Sequence, residues 1–170
     1  RGPNGDVVNG NRQFLIPTYQ ARIIRFTLNT TDGSLAVANE ILLKATDGST
    51  PITGLPNIPG YDETPVDGNN NPVNFDPLGA DLEGIIKAAD GTFWACDEYR
   101  PSVYHFQADG TLIARYVPQG ASQLGTTPVA AGTYGTETLP AVYNKRRANR
   151  GFEAIALDTD SNILYAFIQT

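Results

Sequence analysis

The 170-residue chain contains one cysteine, one histidine and no methionine. A single thiol, Cys96, excludes an internal disulfide, and with only His105 beside it the chain lacks the ligands of a Cys/His zinc site. Charge is sparse as well: 18% of residues are charged and the balance is −6. That sign argues against a general binder of nucleic acid or anionic membrane, because phosphate backbones reward a surplus of Lys and Arg. No apolar run approaches the length of a bilayer span. The missing methionine, together with an opening at Arg1, is what a processed or trimmed chain would show, one from which a signal peptide had been removed. No Gly-x-Ser-x-Gly elbow occurs, and His105 sits in the alternating run "VYHF" without a Ser or Cys partner placed by any motif, which argues against a Ser/His/Asp mechanism.

Hydrophobic residues make up 41% of the chain, so it is expected to fold, as one domain over 1–170. Turn signals dominate it. Asp32-Gly33, Asp47-Gly48, Asp67-Gly68, Asp90-Gly91 and Asp109-Gly110 punctuate short apolar runs, and Asp-Gly favours hairpins whose central residues need positive φ. The runs alternate: "ARIIRFTL" and "SLAVANEILL" about one turn, "EGIIKA" and "TFWACDE" about another, "SVYHFQ" and "TLIARYV" about a third. These read as antiparallel hairpins. The best helical candidate, "TLPAVYNKRRANR", is short and broken by Pro140. The predicted class is all-β.

An internal echo refines this reading. "DLEGIIKAADGTFWA" and "GFEAIALDTDSNILYA" align Glu83 with Glu153 and the turn at Asp90 with that at Asp160. Repeated β units predict a β-propeller, and against the roughly four to eight blades of a closed ring this chain supplies about three. The prediction is a partial propeller domain, an incomplete ring whose other blades lie outside this chain.

In that geometry Glu83 and Glu153 begin equivalent innermost strands, while Asp97 and Glu98, being adjacent, point to opposite faces. Convergent carboxylates of this kind suit a hard cation such as calcium, which takes six to eight oxygen ligands. The alternative is that each acid satisfies strand-end amides or pairs with an Arg. Lys145, Arg146, Arg147 and Arg150 precede Glu153 in an otherwise acidic chain. Arg suits bidentate contact with phosphate or carboxylate, and Asn149 and Arg150, nearest the repeated Glu, are the stronger candidates, with a solvated loop as the alternative for Lys145 and Arg146. The stretches "DTDSN" and "DETPVDGNNN" lack the spacing of a calcium loop and read as surface turns. The sequon Asn29-Thr30-Thr31 is compatible with a secreted surface loop.

The Asp-x-Glu-Gly, Trp-x-x-Asp-Glu-Tyr and Asn-Arg-Gly-Phe-Glu patterns at 81–84, 94–99 and 149–153, with "ARIIRFTLNTTDGSLAV" and "TGLPN" before them, make most of the chain resemble the phytase-like propeller family described as having esterase-like activity. The resemblance implies a secreted or periplasmic propeller, a small anionic phosphoester or other ester as substrate, and calcium as cofactor. It puts the signature acids on Glu83, Asp97, Glu98 and Glu153. Glu83, Asp97 and Glu153 then become catalytic groups, all four acids become metal ligands, and Asn149, Arg150 and Arg100 become substrate contacts. Arg100 stands where the family usually has Gly, and Ala154 where Gly follows the second Glu. The competing reading is a non-catalytic propeller, an interaction module that associates with the rest of its own ring or with a larger assembly. A sugar-lactone hydrolase is a third.

Overall fold

The computed structural model describes residues 4–169 and is built from strands, with two short 3-10 turns. Its centre is an antiparallel meander of β6 (Leu82–Lys87), β7 (Phe93–Asp97), β8 (Ser102–Phe106) and β9 (Leu112–Pro118), with β10 (Thr136–Leu139) added parallel to β9. Two hairpins stand beside it: β3 (Arg22–Leu28) with β4 (Leu35–Leu42), and β11 (Phe152–Asp158) with β12 (Ile163–Ile168). A smaller sheet joins β1 (Asn4–Val8), β2 (Asn11–Phe14) and β5 (Thr64–Val66). The best helical candidate, 138–150, holds only the end of strand β10 and a 3-10 turn, Ala141–Lys145, with Pro140, which has no amide to donate, between them.

The Asp-Gly turns close differently from the expectation of two positive-φ residues. In the β6–β7 link Gly91 N–H donates to Ala88 O and Ala88 N–H to Thr92 O, and Gly91 alone takes positive φ, at 89°. The β8–β9 link repeats the pattern at Gln107, Gly110 and Thr111. This is a type I turn closed by a glycine in the left-handed region, and the Asp contributes by accepting the amide of the residue after the glycine: Asp90 from Thr92 at 3.0 Å, Asp109 from Thr111 at 2.9 Å. In the β11–β12 turn the accepting acid is Asp158 rather than Asp160.

The central sheet is apolar on both faces, and each face meets a hairpin. Toward β3–β4, a core of Ala95, Tyr104, Phe106 and Leu112 packs with Leu43 and Ile52, with Ile23 and Ile41 against it. Toward β11–β12, Cys96, Val103 and Phe152 pack with Ile155 and Leu164. The chain is therefore a stack of three strand layers. The outer faces of the two hairpins are apolar and exposed, formed by the cross-strand pairs Phe26/Val37 and Leu28/Leu35 on one side and by Tyr165 and Phe167 opposite Ala156 and Ala154 on the other.

Position 84 explains a sequence difference between the repeats. A Cβ at Gly84 would lie 2.9 Å from the Ile155 side chain and 3.0 Å from Cys96 Sγ, so the approach of the next layer requires glycine. Its counterpart Ala154 faces outward and is exposed, where a methyl group meets no such limit.

Candidate metal centre

At the end of the β6–β7 ladder Leu82 pairs with Asp97 and Gly84 with Cys96, so β6 carries one residue more than β7. The extra residue is Glu83. A β-bulge of this kind re-aims the side chain it carries. One step beyond the ladder, Glu98 N–H donates to Asp81 O at 3.0 Å, which sets residues 81 and 98 side by side. The result is a group of three acids, Asp81, Glu83 and Glu98, offering one carboxylate oxygen each within 4.8 Å of one another. Asp81 and Glu98 are buried and Glu83 is half-buried.

Oxygens on opposite sides of a calcium ion lie about 4.6–5.2 Å apart, given ligand distances of about 2.3–2.6 Å. A cluster 4.8 Å across therefore fits a hard cation in size and in donor type. Carboxylates gathered out of water repel one another, and a cation shared among them would relieve that repulsion.

Of the acids expected at the site, Glu83 and Glu98 meet here, and Asp81, which the sequence reading passed over, completes the set. The signal for Asp81 was its place in the Asp-x-Glu-Gly pattern, two residues before Glu83. Asp97 lies elsewhere. Its carboxylate is buried with Arg115, Nη2 to Oδ2 at 3.4 Å, and accepts the Arg100 amide at 3.1 Å. Ser102 Oγ and Tyr104 Oη also lie within reach, at 3.5 and 3.3 Å. Burial pushes its carboxyl up to about 6, against the pull of the two guanidiniums. This arrangement departs from the expectation of Asp97 as a ligand, since its oxygens are engaged by Arg115 and its neighbours. Arg100, expected at the substrate, is also in the core: its guanidinium donates to the carbonyls of Pro77, Asp76 and Gly79 and lies 5.1 Å from the centroid of Tyr134. Burial lowers its pKa to about 10.

Glu153 repeats the position of Glu83. Phe152 pairs with Ile168 and Ala154 with Phe167, so Glu153 is the extra residue of a second bulge. The next step repeats too, Gln169 N–H donating to Gly151 O at 2.8 Å as Glu98 does to Asp81. The second bulge thus carries Gly151, Glu153 and Gln169 where the first carries Asp81, Glu83 and Glu98. Gln169 Nε2 donates to Glu153 Oε1 at 3.2 Å. The two bulges are joined at Gly151, whose amide donates to Glu98 O; a Cβ there would strike the carbonyl oxygens of both Glu98 and Asp97, the latter at 2.7 Å. Between them lies the Cys96 thiol. Burial pushes it up to about 11, and the negative charges of Asp97, Glu83 and Glu153 act in the same direction.

In the basic loop Arg146 is held internally, donating to Tyr99 O at 2.7 Å and pairing with buried Asp62 at 3.4 Å. Lys145, Arg147 and Arg150 are exposed. Asn149 takes left-handed backbone, φ 56°, and its Oδ1 is buried with no hydrogen-bond partner among the described residues, as is Gln169 Oε1.

The family model described as "Phytase-like: Esterase-like activity of phytase" matches residues 11–170. The chain belongs to this phytase-like family. A protein of Arthroderma benhamiae, described as an "Uncharacterized secreted protein", is 29% identical over 158 residues, which cover 80% of this chain and 31% of that protein. This phytase-like chain thus spans about a third of the length of the relative it matches. No solved structure matches it. No helix among the described residues is long and apolar enough to cross a membrane.

Proposed function

We propose that the chain is part of an extracellular or periplasmic hydrolase that cleaves a phosphoester or related ester at a cation held by Asp81, Glu83 and Glu98. The observation that carries the reading is the approach of these three carboxylates to within 4.8 Å at a bulge of a strand end. The family description supports an ester bond as the target, and the secreted relative supports the location. An all-oxygen donor set favours calcium or another hard cation over zinc. When bound, such a cation supplies positive charge to an ester oxygen.

Each remaining step falls to a residue of this chain. Glu153, exposed on the neighbouring bulge, takes a proton from the attacking water. Arg150, exposed four residues after the internally held Arg146, steadies the substrate anion, and Asn149 orients the loop that carries it. Water adds across the ester: its oxygen bonds to phosphorus or to the acyl carbon, the bond to the alcohol oxygen breaks, and the proton passes to the alcohol. Asp97 and Arg100 act from below, holding the β7 end on which Glu98 stands.

Phosphoester hydrolysis by the full-length protein, with calcium and after chelation, tests the proposal. Turnover that is lost on chelation, and lost again in Glu83→Gln and Glu153→Gln with the melting curve in chelator unchanged, is expected. Full activity in both variants would remove these acids from the mechanism.

A second reading is favoured by the exposed apolar faces of β3–β4 and β11–β12. Three stacked strand layers with apolar outer faces suit an arc of a β-propeller, about three blades of an incomplete ring. In that reading the chain is an interaction module, completed by the rest of its ring or by a larger assembly, and the acids stabilise its channel. Glu→Gln changes that lower the melting temperature without a catalytic phenotype would favour it.

A further inference from the structure

Beside the acid cluster, between β3 and β6, lies a cavity of about 220 Å3. Ile23 and Ile24 line it from β3, Leu82 and Ile85 from β6, and the buried side chains of Leu43 and Phe106 complete its apolar wall. Ile24 and Ile85 are large apolar side chains left 44% and 52% exposed. Two charged residues border the space. One is Arg22, whose guanidinium is already paired with Glu40 at 2.6 Å. The other is Glu83, which belongs to both the cavity and the acid cluster.

A cavity of about 150 Å3 lined by aliphatic and aromatic side chains holds benzene, so this one has room for an aryl ring or a short branched alkyl group. The lining of the cavity itself offers a polyanion nothing: its one guanidinium is neutralised by Glu40, and its other charged residue is Glu83. A substrate dense in phosphate would place further anionic groups against this apolar wall and the Glu83 carboxylate, on the side away from the cation and Arg150.

We propose that the ester this site takes joins a single anionic or acyl group to an apolar alcohol, whose aryl or alkyl part occupies the β3–β6 cavity while the ester oxygen lies at the acid cluster. This rests on the reading of Asp81, Glu83 and Glu98 as a cation site. It adds that an inositol polyphosphate is a poor ligand here and that selectivity is set by Ile24 and Ile85, residues outside the acid cluster.

The test measures equilibrium binding of phenol, phenyl phosphate, inorganic phosphate and phytate to the full-length protein in calcium, without requiring turnover. Phenyl phosphate is expected to bind at least tenfold tighter than inorganic phosphate, and phytate no tighter than phosphate. Ile85→Trp, which fills the mouth of the cavity from an exposed position, is expected to abolish the phenyl advantage and leave calcium binding unchanged. Ile24→Trp repeats the test from the other strand should Ile85→Trp fail to fold. Phenol binding that both substitutions leave intact, equal affinities for phenyl phosphate and phosphate, or a preference for phytate would each overturn the proposal. The cation reading fails separately, through absent calcium binding in the unaltered protein, and phenol alone still reports on the cavity in that case.

Discussion

The two bulges share a backbone and differ in chemistry. Both insert a glutamate, Glu83 or Glu153, into the start of a strand, and both close the ladder with the same amide-to-carbonyl bond one step further on. Around the first the side chains are Asp81 and Glu98; around the second they are Gly151 and Gln169, and the Gln169 amide supplies the second glutamate with a hydrogen bond. One backbone device therefore serves a cluster of three carboxylates that could hold a cation and a single acid that meets a neutral amide. The residues beneath differ in the same sense. Asp97, under the first, is buried in an ion pair with Arg115, whereas its counterpart Ile168, under the second, is an exposed apolar side chain.

The largest effect is expected on breaking what lies under the first bulge alone. Arg115→Ala strips the buried Asp97 carboxylate of its charged partner and also removes donors to Pro77 O and Ser102 Oγ. A loss of about 3–5 kcal/mol in the free energy of unfolding is expected for such a pair, measured by denaturant titration. A cation should tell the bulges apart next. Calcium at a hundredfold excess over its dissociation constant should stabilise the protein by about 2.7 kcal/mol, seen as a rise in Tm. Glu98→Gln, which makes the first bulge resemble the second, should abolish that rise, and Gln169→Glu should leave it in place.

Gly151→Ala attacks the contact that joins the bulges. With two carbonyl oxygens in the path of the new methyl group, β11 must shift, at a cost of about 1–3 kcal/mol, measured by the same titration. Acidity separates the two regions more gently. The Asp97 carboxyl is pushed up to about 6, above its ordinary value of about 3.9. Between those values the folded chain holds more of this proton than the unfolded chain does. Its contribution to stability therefore falls as pH rises from about 4 to about 6 and is level above that. Unfolding free energies across this range should lose that slope in Asp97→Asn. The smallest perturbation is chemical labelling of Cys96, which lies between the bulges. Buried and with its thiol pushed up to about 11, it should resist a thiol reagent at pH 8 until the protein unfolds. Rapid labelling of the folded chain would mean that the β6–β11 layers part readily.

Much of the strand order was legible because its signals are local. Period-two alternation on either side of Asp90-Gly91 and Asp109-Gly110 locates β6 to β9, and the echo of "DLEG" in "GFEA" locates β11 and β12. The turn type was less legible: Asp-Gly is common to several turns, and the backbone chose the one in which the Asp side chain, rather than a second positive φ, completes the bonding. Adjacent in sequence, Asp97 and Glu98 go to different places, and Asp97 is drawn into the core by Arg115, 18 residues downstream, while Glu98, in the turn after β7, joins the acid cluster. Arg100 offered no sequence signal of its destination. It is drawn inward by three backbone carbonyls of the loop before β6, whose positions no pattern in the sequence records.

By itself the sequence determined an all-β chain punctuated by Asp-Gly turns, with two equivalent glutamates at strand starts and membership in a family its motifs already resembled. These rest on short-range preferences, alternation and turn chemistry, which act over a few residues and can be read there. Tertiary structure alone decided that Asp81, Glu83 and Glu98 form one cluster, that Asp97 and Arg100 serve the core, and that Gln169 gives the acid of the second bulge an amide rather than a second carboxylate. Each of those outcomes depends on strand register and on partners far along the chain. A carboxylate's fate is set by the charge and the water it meets once folded, and its neighbours in sequence fix neither.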